Sequence, residues 1–288
     1  MSNDRLTNTT MFSTLHRSAL ATVTRRPVVA FVGLAYALSW AAWGLGYGAF
    51  EGVGAVGTAC FLLGGLGPFV AAAVVARVTG TADVFRARLF RWRVAPRWYP
   101  IALGGPFTLA LAVVAVEGLL WDGRVTVDAL HPIATIPGFV VGGVLLGGLE
   151  EPGWRGFAQV RLERRYGTLA ASLVVAVAWV GWPLPLFVLP GTAQSDVPLL
   201  PFAAMGLFLA VVFALAFEGA GRSVIVVALL HGAYNGALGW SALLEGSGTG
   251  HSLWLLVLGL VVVTVALVAG TGPATRGHRS PHPRNPRP

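Results

Sequence analysis

Eight apolar segments constrain this chain more than any other feature of its sequence. A helix of about 20 apolar residues spans the hydrocarbon core of a bilayer. Only 11% of the 288 residues are charged, whereas about 25% is usual in a soluble domain. The pattern predicts an all-α fold, a polytopic integral membrane helical bundle with about eight transmembrane helices. The segments lie near 28–48, 56–76, 98–120, 133–150, 168–189, 199–217, 223–244 and 252–270.

The distribution of arginine predicts how the chain is oriented. If the N-terminus is cytoplasmic, the loops 77–97, 151–167 and 218–222 and the two tails hold every arginine except Arg124. The positive-inside rule then places both termini in the cytoplasm. The net charge of +8 is therefore a sign of orientation rather than of a nucleic-acid partner. The opposite loops carry mostly acidic residues: Glu51, Asp122, Asp128, Asp196 and Glu245.

Composition divides the chain into three parts. Residues 1–27 form a polar cytoplasmic tail, and no small-residue cleavage site follows a short apolar core, which favours a retained first helix. Residues 28–270 form the transmembrane domain. Residues 271–288 are rich in Pro, Arg and His, and we expect this basic C-terminal tail to be disordered. The richness in arginine and glycine suggests a high-GC bacterial genome, so we expect a multi-pass protein of the bacterial plasma membrane.

Two adjacent carboxylates and an arginine follow the fourth apolar segment. The run Gly-Gly-Leu-Glu-Glu-Pro-Gly-Trp-Arg-Gly spans 147–156 and places Glu150, Glu151 and Arg155 near the edge of the membrane. Ionisable groups at membrane depth are costly and usually carry function. These three residues are therefore candidate catalytic groups. The alternative is a pair of solvated carboxylates at a helix end.

A second polar pair lies inside the seventh apolar segment. His231 and Asn235 are four residues apart, so they share one face of a helix. An imidazole nitrogen and an amide oxygen can both bind a divalent metal, although an amide is a weak ligand for zinc. His231 and Glu150 both fall in the cytoplasmic half of the membrane and could meet in one cavity. The alternative is a buried His–Asn pair that bonds between helices.

Together these motifs resemble the CPBP family, also called the ABI family. It contains the type II CAAX prenyl endopeptidases and bacteriocin-processing enzymes. The resemblance covers the chain from about residue 30 to 265. It rests on two runs, Glu150-Glu151-Pro152-Gly153-Trp154-Arg155-Gly156-Phe157 and His231-Gly232-Ala233-Tyr234-Asn235.

The resemblance implies an intramembrane metalloprotease with a divalent metal, zinc by type. Its substrate would be a membrane-associated peptide or lipidated protein, cut at the cytoplasmic side. Glu150 would act as general base on a metal-bound water, since a metal lowers the pKa of that water and a nearby carboxylate takes its proton. Glu151 and Arg155 would support the site or the developing oxyanion. His231 and Asn235 would face the metal or the water.

One position departs from the family pattern. The family has a histidine within a W-x-x-W-H-x-P-L-F-like run, and here the corresponding residue is Pro183. Proline has no side-chain lone pair for a metal. Glu151 or water could replace the missing ligand, or another group could serve. The remaining alternative is a catalytically impaired member that binds no metal and acts as a membrane binding, immunity or scaffold protein.

Overall fold

The computed structural model describes residues 21–50, 52, 54–121, 130–192, 194–243 and 251–270, and the regular structure in these ranges is entirely helical. The predicted tails fall largely outside them. The ten principal helices of the described ranges are α1 (Pro27–Phe50), α2 (Gly54–Gly65), α3 (Gly67–Val78), α4 (Ala82–Leu89), α5 (Trp98–Leu120), α6 (Ile136–Leu146), α7 (Val160–Gly181), α8 (Leu199–Gly219), α9 (Val224–Trp240) and α10 (His251–Gly270).

The prediction of an all-α membrane bundle is confirmed. Within the described residues, five helical stretches are long and apolar enough to cross a membrane, and α2 with α3 could form a sixth. Every one of the eight predicted segments contains a helix. The count of eight spans and the cytoplasmic position of both termini stay predictions. The five stretches are Pro27–Ala49, Trp98–Leu120, Ile133–Gly181, Leu199–Gly219 and His251–Gly270.

The second segment is broken rather than straight. The axes of α2 and α3 differ by 47°. Pro68 has no backbone N–H, so the carbonyl of Gly64 lacks its usual helical donor. Ser39 Oγ donates to that carbonyl at 2.7 Å, and Trp182 Nε1 donates to Ser39 Oγ at 2.7 Å. The break is thereby tied to α1 and to the residue that follows α7.

The predicted loop at 151–167 is wrong. Residues 151–153 form a helical turn, Trp154–Gln159 are π-helical, and α7 continues from Val160 with a kink at Gly167. Residues 150–160 are all buried. Glu151 and Arg155 form a fully buried ion pair, and Trp154 packs edge-on against Phe31 of α1 at 5.3 Å between ring centroids.

Two other predicted spans end earlier than expected. The helix of the fourth segment stops at Leu146, and a 3₁₀ turn over Gly148–Glu150 follows it. The helix of the fifth segment stops at Gly181, before a second 3₁₀ turn over Leu184–Phe187. Glycine and proline at these points favour the early ends. Both shortened ends border the cavity described below.

The three basic connections meet at one end of the bundle. Arg91 Nη1 donates to the carbonyl of Gly221 at 2.8 Å. Arg222 Nη2 lies 3.1 Å from Glu163 Oε2. These contacts join the connection after α4, the start of α7 and the connection between α8 and α9. They agree with the expectation that the three connections lie on the same side of the membrane.

Close packing of α6 on α9 positions the candidate site. A Cβ added to Gly143 would lie 2.1 Å from the carbonyl oxygen of Gly232, and one added to Gly236 would lie 2.8 Å from the carbonyl oxygen of Phe139. Glycines on both helices therefore let the two backbones nearly touch, as small residues do in membrane interfaces. This approach brings the turn that carries Glu150 beside His231.

Candidate active site

A cavity of about 340 Å³ lies between α1, α2, α6, α7, α8 and α9. Its walls are mostly apolar, as expected for a binding site within a helical bundle. The polar side chains on its surface come from the turn after α6, the connection before α8, and α9. They are Glu150, Gln194, His231, Tyr234 and Asn235.

Glu150 is the carboxylate that faces this cavity. It is buried at the end of the 3₁₀ turn that follows α6. Trp179 Nε1, on α7, donates to Glu150 Oε2 at 2.7 Å. A hydrogen bond from a fixed indole orients the carboxylate without neutralising it. Sequence reasoning did not assign this role to Trp179, although the W-x-x-W run that contains it was a signal.

Glu151 points away from the cavity. It is fully buried, and its Oε1 accepts a hydrogen bond from Arg155 Nη1 at 3.0 Å and lies 2.8 Å from His231 Nδ1. Consecutive residues of a helical turn are separated by about 100° around its axis. Adjacent carboxylates therefore enter different surroundings.

Arg155 lies behind Glu151 and does not line the cavity. Its guanidinium is fully buried and stacks over the rings of Trp179 and Phe213 at 4.5 and 5.0 Å. Such cation–π contacts help a buried cation that has a single carboxylate partner. Its Nε and Nη2 have no hydrogen-bond partner within the described residues. This position favours support of Glu151 over contact with a substrate.

His231 and Asn235 share one face of α9, as their spacing predicts. Glu151 engages Nδ1 of His231, which leaves Nε2 on the other side of the ring. A Cβ added to Gly147 would lie 2.6 Å from His231 Nε2 and 2.3 Å from Asn235 Nδ2. The two polar atoms are thus close neighbours beside Gly147. The structure therefore brings Glu150, His231 and Asn235 to one cavity, with Glu151 and Arg155 behind them.

Pro183, which the sequence comparison with the family aligns with a histidine, also lines this cavity. Within the described ranges, no group of three His, Cys, Asp or Glu residues is arranged to hold a metal ion. A catalytic zinc centre uses three such ligands and one water. One carboxylate, one imidazole and one weakly binding amide do not fit that set. Zinc stays a prediction from the resemblance.

The fold and the site place this chain in a class of protein. It is a polytopic membrane protein whose helices bring a carboxylate, an imidazole and an amide to a buried cavity. The family model described as "Type II CAAX prenyl endopeptidase Rce1-like" matches residues 132–237. Those residues include all five candidate residues and Pro183. Through this segment, the chain is similar to the CAAX-type proteases of the CPBP family. No curated protein matches the chain.

Proposed function

We propose that the chain is an endopeptidase of the bacterial plasma membrane. It would hydrolyse a peptide bond of a membrane-associated or lipidated substrate at the cytoplasmic side. One observation carries the proposal: Glu150, His231 and Asn235, from two different helical regions of the segment that matches the family model, meet at a single, mostly apolar cavity.

Glu150 supplies the base of the proposed reaction. It is the acidic side chain among the described residues that line the cavity. Its carboxylate takes a proton from the water that attacks the substrate carbonyl, and positioned bases of this kind contribute about 10²–10⁴-fold to rate. Trp179 holds one carboxylate oxygen in place. The same carboxyl group can then return the proton to the leaving amine.

Asn235 and His231 face the oxygen of the scissile carbonyl in this proposal. The Asn235 amide donates to the developing oxyanion, and His231 adds a second donor from Nε2 when its ring is protonated. Donors fixed before the reaction stabilise such charge most strongly in a site that excludes water. The apolar walls of the cavity provide that exclusion.

Glu151 and Arg155 position His231 in this proposal. Glu151 Oε1 lies 2.8 Å from His231 Nδ1, and Arg155 Nη1 donates to the same oxygen. A carboxylate on one ring nitrogen fixes the orientation of the ring and the protonation of its other nitrogen. The pair therefore acts through His231 rather than on the substrate.

A second candidate function is that of a non-catalytic binding protein for lipidated or hydrophobic peptides. The observation that favours it is Pro183, which occupies the cavity wall without a proton-transferring or ligating atom. Under this alternative, the parent chain would bind such a peptide without cutting it. The variant Pro183→His would then create metal binding or hydrolysis that the parent lacks.

The decisive experiment uses the detergent-purified chain and a prenylated peptide that ends in the CAAX pattern, with its non-prenylated form for comparison. We expect hydrolysis by the parent and its loss in Glu150→Ala. Equal rates in the parent and Glu150→Ala would contradict the proposed mechanism. Peptide binding without cleavage by the parent would favour the second candidate. Addition of a chelator shows whether hydrolysis depends on a metal.

A further inference from the structure

Four arginines converge where the basic connections meet, at Arg88 of α4, Arg91 after it, and Arg161 and Arg164 of α7. We call this group the arginine cluster. Arg88 lies within electrostatic range of Arg91 and Arg164, and Arg161 lies within range of Arg88 and Arg164. Like charges repel unless something holds them together, so this assembly needs an explanation.

Carboxylates do not balance the arginine cluster. Within the described residues none of its four members forms an ion pair. The nearby Glu163 and Glu218 both pair with Arg222 instead. Burial lowers the pKa of the Arg88 guanidinium, and the charges of Arg222, Arg164 and Arg91 lower it further against the opposing effect of Glu163. A bound anion would relieve this repulsion.

Hydrogen bonds to the rest of the protein hold three members of the cluster in place, Arg88, Arg161 and, through the carbonyl of Gly221, Arg91. Arg88 Nη1 donates to the carbonyl of Gly156 at 3.4 Å. Arg161 donates to the carbonyl of Phe157 at 3.2 Å and to Thr81 Oγ1 at 2.7 Å. Its guanidinium also stacks on the Phe157 ring at 3.6 Å. Fixed donors lose less conformational entropy when they bind a ligand.

Exposed aromatic side chains lie next to members of the cluster in the sequence. Phe90 and Trp92 follow α4 and are 73% and 58% exposed, and Tyr166 on α7 is 49% exposed. Tryptophan and tyrosine are typical of the membrane–water interface, where the headgroups lie. The guanidinium of Arg93 stacks on Trp92 at 4.9 Å, and that of Arg165 stacks on Tyr166 at 5.3 Å. The cluster therefore lies among groups suited to headgroup depth.

We infer that the arginine cluster binds the phosphodiester headgroup of an anionic phospholipid. Arginine matches phosphate with two parallel N–H donors, which makes it the preferred residue for such contacts. The neighbouring aromatics would meet the glycerol and upper acyl chains. Because Arg88 and Arg161 contact the carbonyls of Gly156 and Phe157, the headgroup would lie against the π-helical segment that carries Arg155. This site goes beyond the proposed peptidase and does not depend on it.

Lipid binding to the detergent-purified, delipidated full chain tests the inference directly. Phosphatidylglycerol is titrated and the bound lipid counted by native mass spectrometry, with phosphatidylcholine as the headgroup control. We expect phosphatidylglycerol to bind more tightly, and the double variant Arg88→Gln/Arg161→Gln to weaken it by about fivefold for each arginine removed. Arg97→Gln, which removes an exposed arginine of the same connection outside the cluster, should leave the affinity unchanged.

A fallback variant and two competing ligands complete the test of lipid binding. If the double variant unfolds, Arg164→Gln replaces it, since Arg164 is exposed and removes a cluster charge at the surface. Equal phosphatidylglycerol affinity in the parent and the folded cluster variant would overturn the inference. Equal binding of phosphatidylcholine would also overturn it, since the site would then recognise acyl chains alone. Displacement of phosphatidylglycerol by inorganic phosphate at similar concentration would identify a free-anion site instead.

Discussion

The site has two regions. We call Glu150 and Asn235 with His231 Nε2 the cavity face, and Glu151 and Arg155 with His231 Nδ1 the buried network. The two regions begin at adjacent carboxylates, yet their surroundings differ. Glu150 lines an apolar cavity and has an indole donor from Trp179. Glu151, the next residue, is fully buried and shares one oxygen between Arg155 and His231. Two carboxylates that look equivalent in the sequence therefore suit different tasks. In the proposed function, the carboxylate with access to the cavity meets the substrate, and the buried carboxylate positions His231.

His231 links the two regions. One ring nitrogen faces Glu151, and the other lies with Asn235 at the cavity. Any change in the buried network should therefore reach the cavity face through this ring. Changes on the cavity face should leave the network, and the stability it provides, nearly intact. The variants below test this asymmetry in order of decreasing effect.

The largest effect on stability should come from Glu151→Met. It leaves Arg155 buried without its carboxylate, and breaking a buried pair on one side typically costs about 3–5 kcal/mol. We expect a large fall in the thermal unfolding temperature in detergent. The double variant Glu151→Met/Arg155→Met removes both charges and should regain much of that stability. It should still lack activity, because His231 loses its acceptor. Equal instability of the single and double variants would argue against the ion pair.

Gly147→Ala should damage the cavity face directly. The added Cβ would fall 2.3 Å from Asn235 Nδ2 and 2.6 Å from His231 Nε2. Both atoms end side chains and can move, so the protein should fold while the peptidase rate falls by about 10²-fold. Gly142→Ala is the matched control, since nothing lies within 4 Å of its added Cβ. Equal rates in the two variants would show that the position of this pair does not matter.

Trp179→Phe should have a smaller effect on rate. It removes the donor to Glu150 Oε2 but keeps an aromatic ring beside Arg155. We expect kcat to fall by about tenfold, which corresponds to ~1.4 kcal/mol. KM should change little, because the interaction orients the base rather than the substrate. A rise in KM at constant kcat would instead assign Trp179 to substrate binding.

Ser252→Ala should affect stability without affecting the site. Glu117, near the far end of α5, is 3% exposed, and Ser252 Oγ lies 2.7 Å from its Oε2. Loss of this hydrogen bond to a buried carboxyl should destabilise the protein by about 1 kcal/mol. Thermal unfolding measures the change, and the peptidase rate should match that of the parent. A lost rate would show that the two polar regions are coupled.

Sequence reasoning anticipated the cavity face better than the network behind it. The i, i+4 spacing placed His231 and Asn235 on one side of a helix, and hydropathy placed Glu150 at a similar depth. The contact between Glu151 and His231 was not predictable, because it depends on the approach of α6 to α9. The spacing of residues along a helix predicts which of them share a face, but it does not predict which other helix packs against that face.

The clearest error in the predicted fold came from the many charged residues between positions 151 and 167. Arg155, Glu163 and their neighbours suggested a loop at 151–167, yet this stretch is helical and mostly buried. The prediction assumed that charged side chains face water. Here Glu151 pairs with Arg155, and Glu163 accepts from Gln159 Nε2 at 2.8 Å. Internal pairs of this kind cannot be read from composition.

Side-by-side measurement of Glu150→Gln and Glu151→Gln tests the division between the two carboxylates most directly. Each detergent-purified variant is assayed for hydrolysis of the prenylated peptide and for thermal unfolding. We expect Glu150→Gln to unfold near the parent temperature while its rate falls by about 10²–10⁴-fold. Glu151→Gln should lose both activity and stability. A Glu150→Gln variant that cuts the peptide at the parent rate would contradict the assignment of Glu150 as the base.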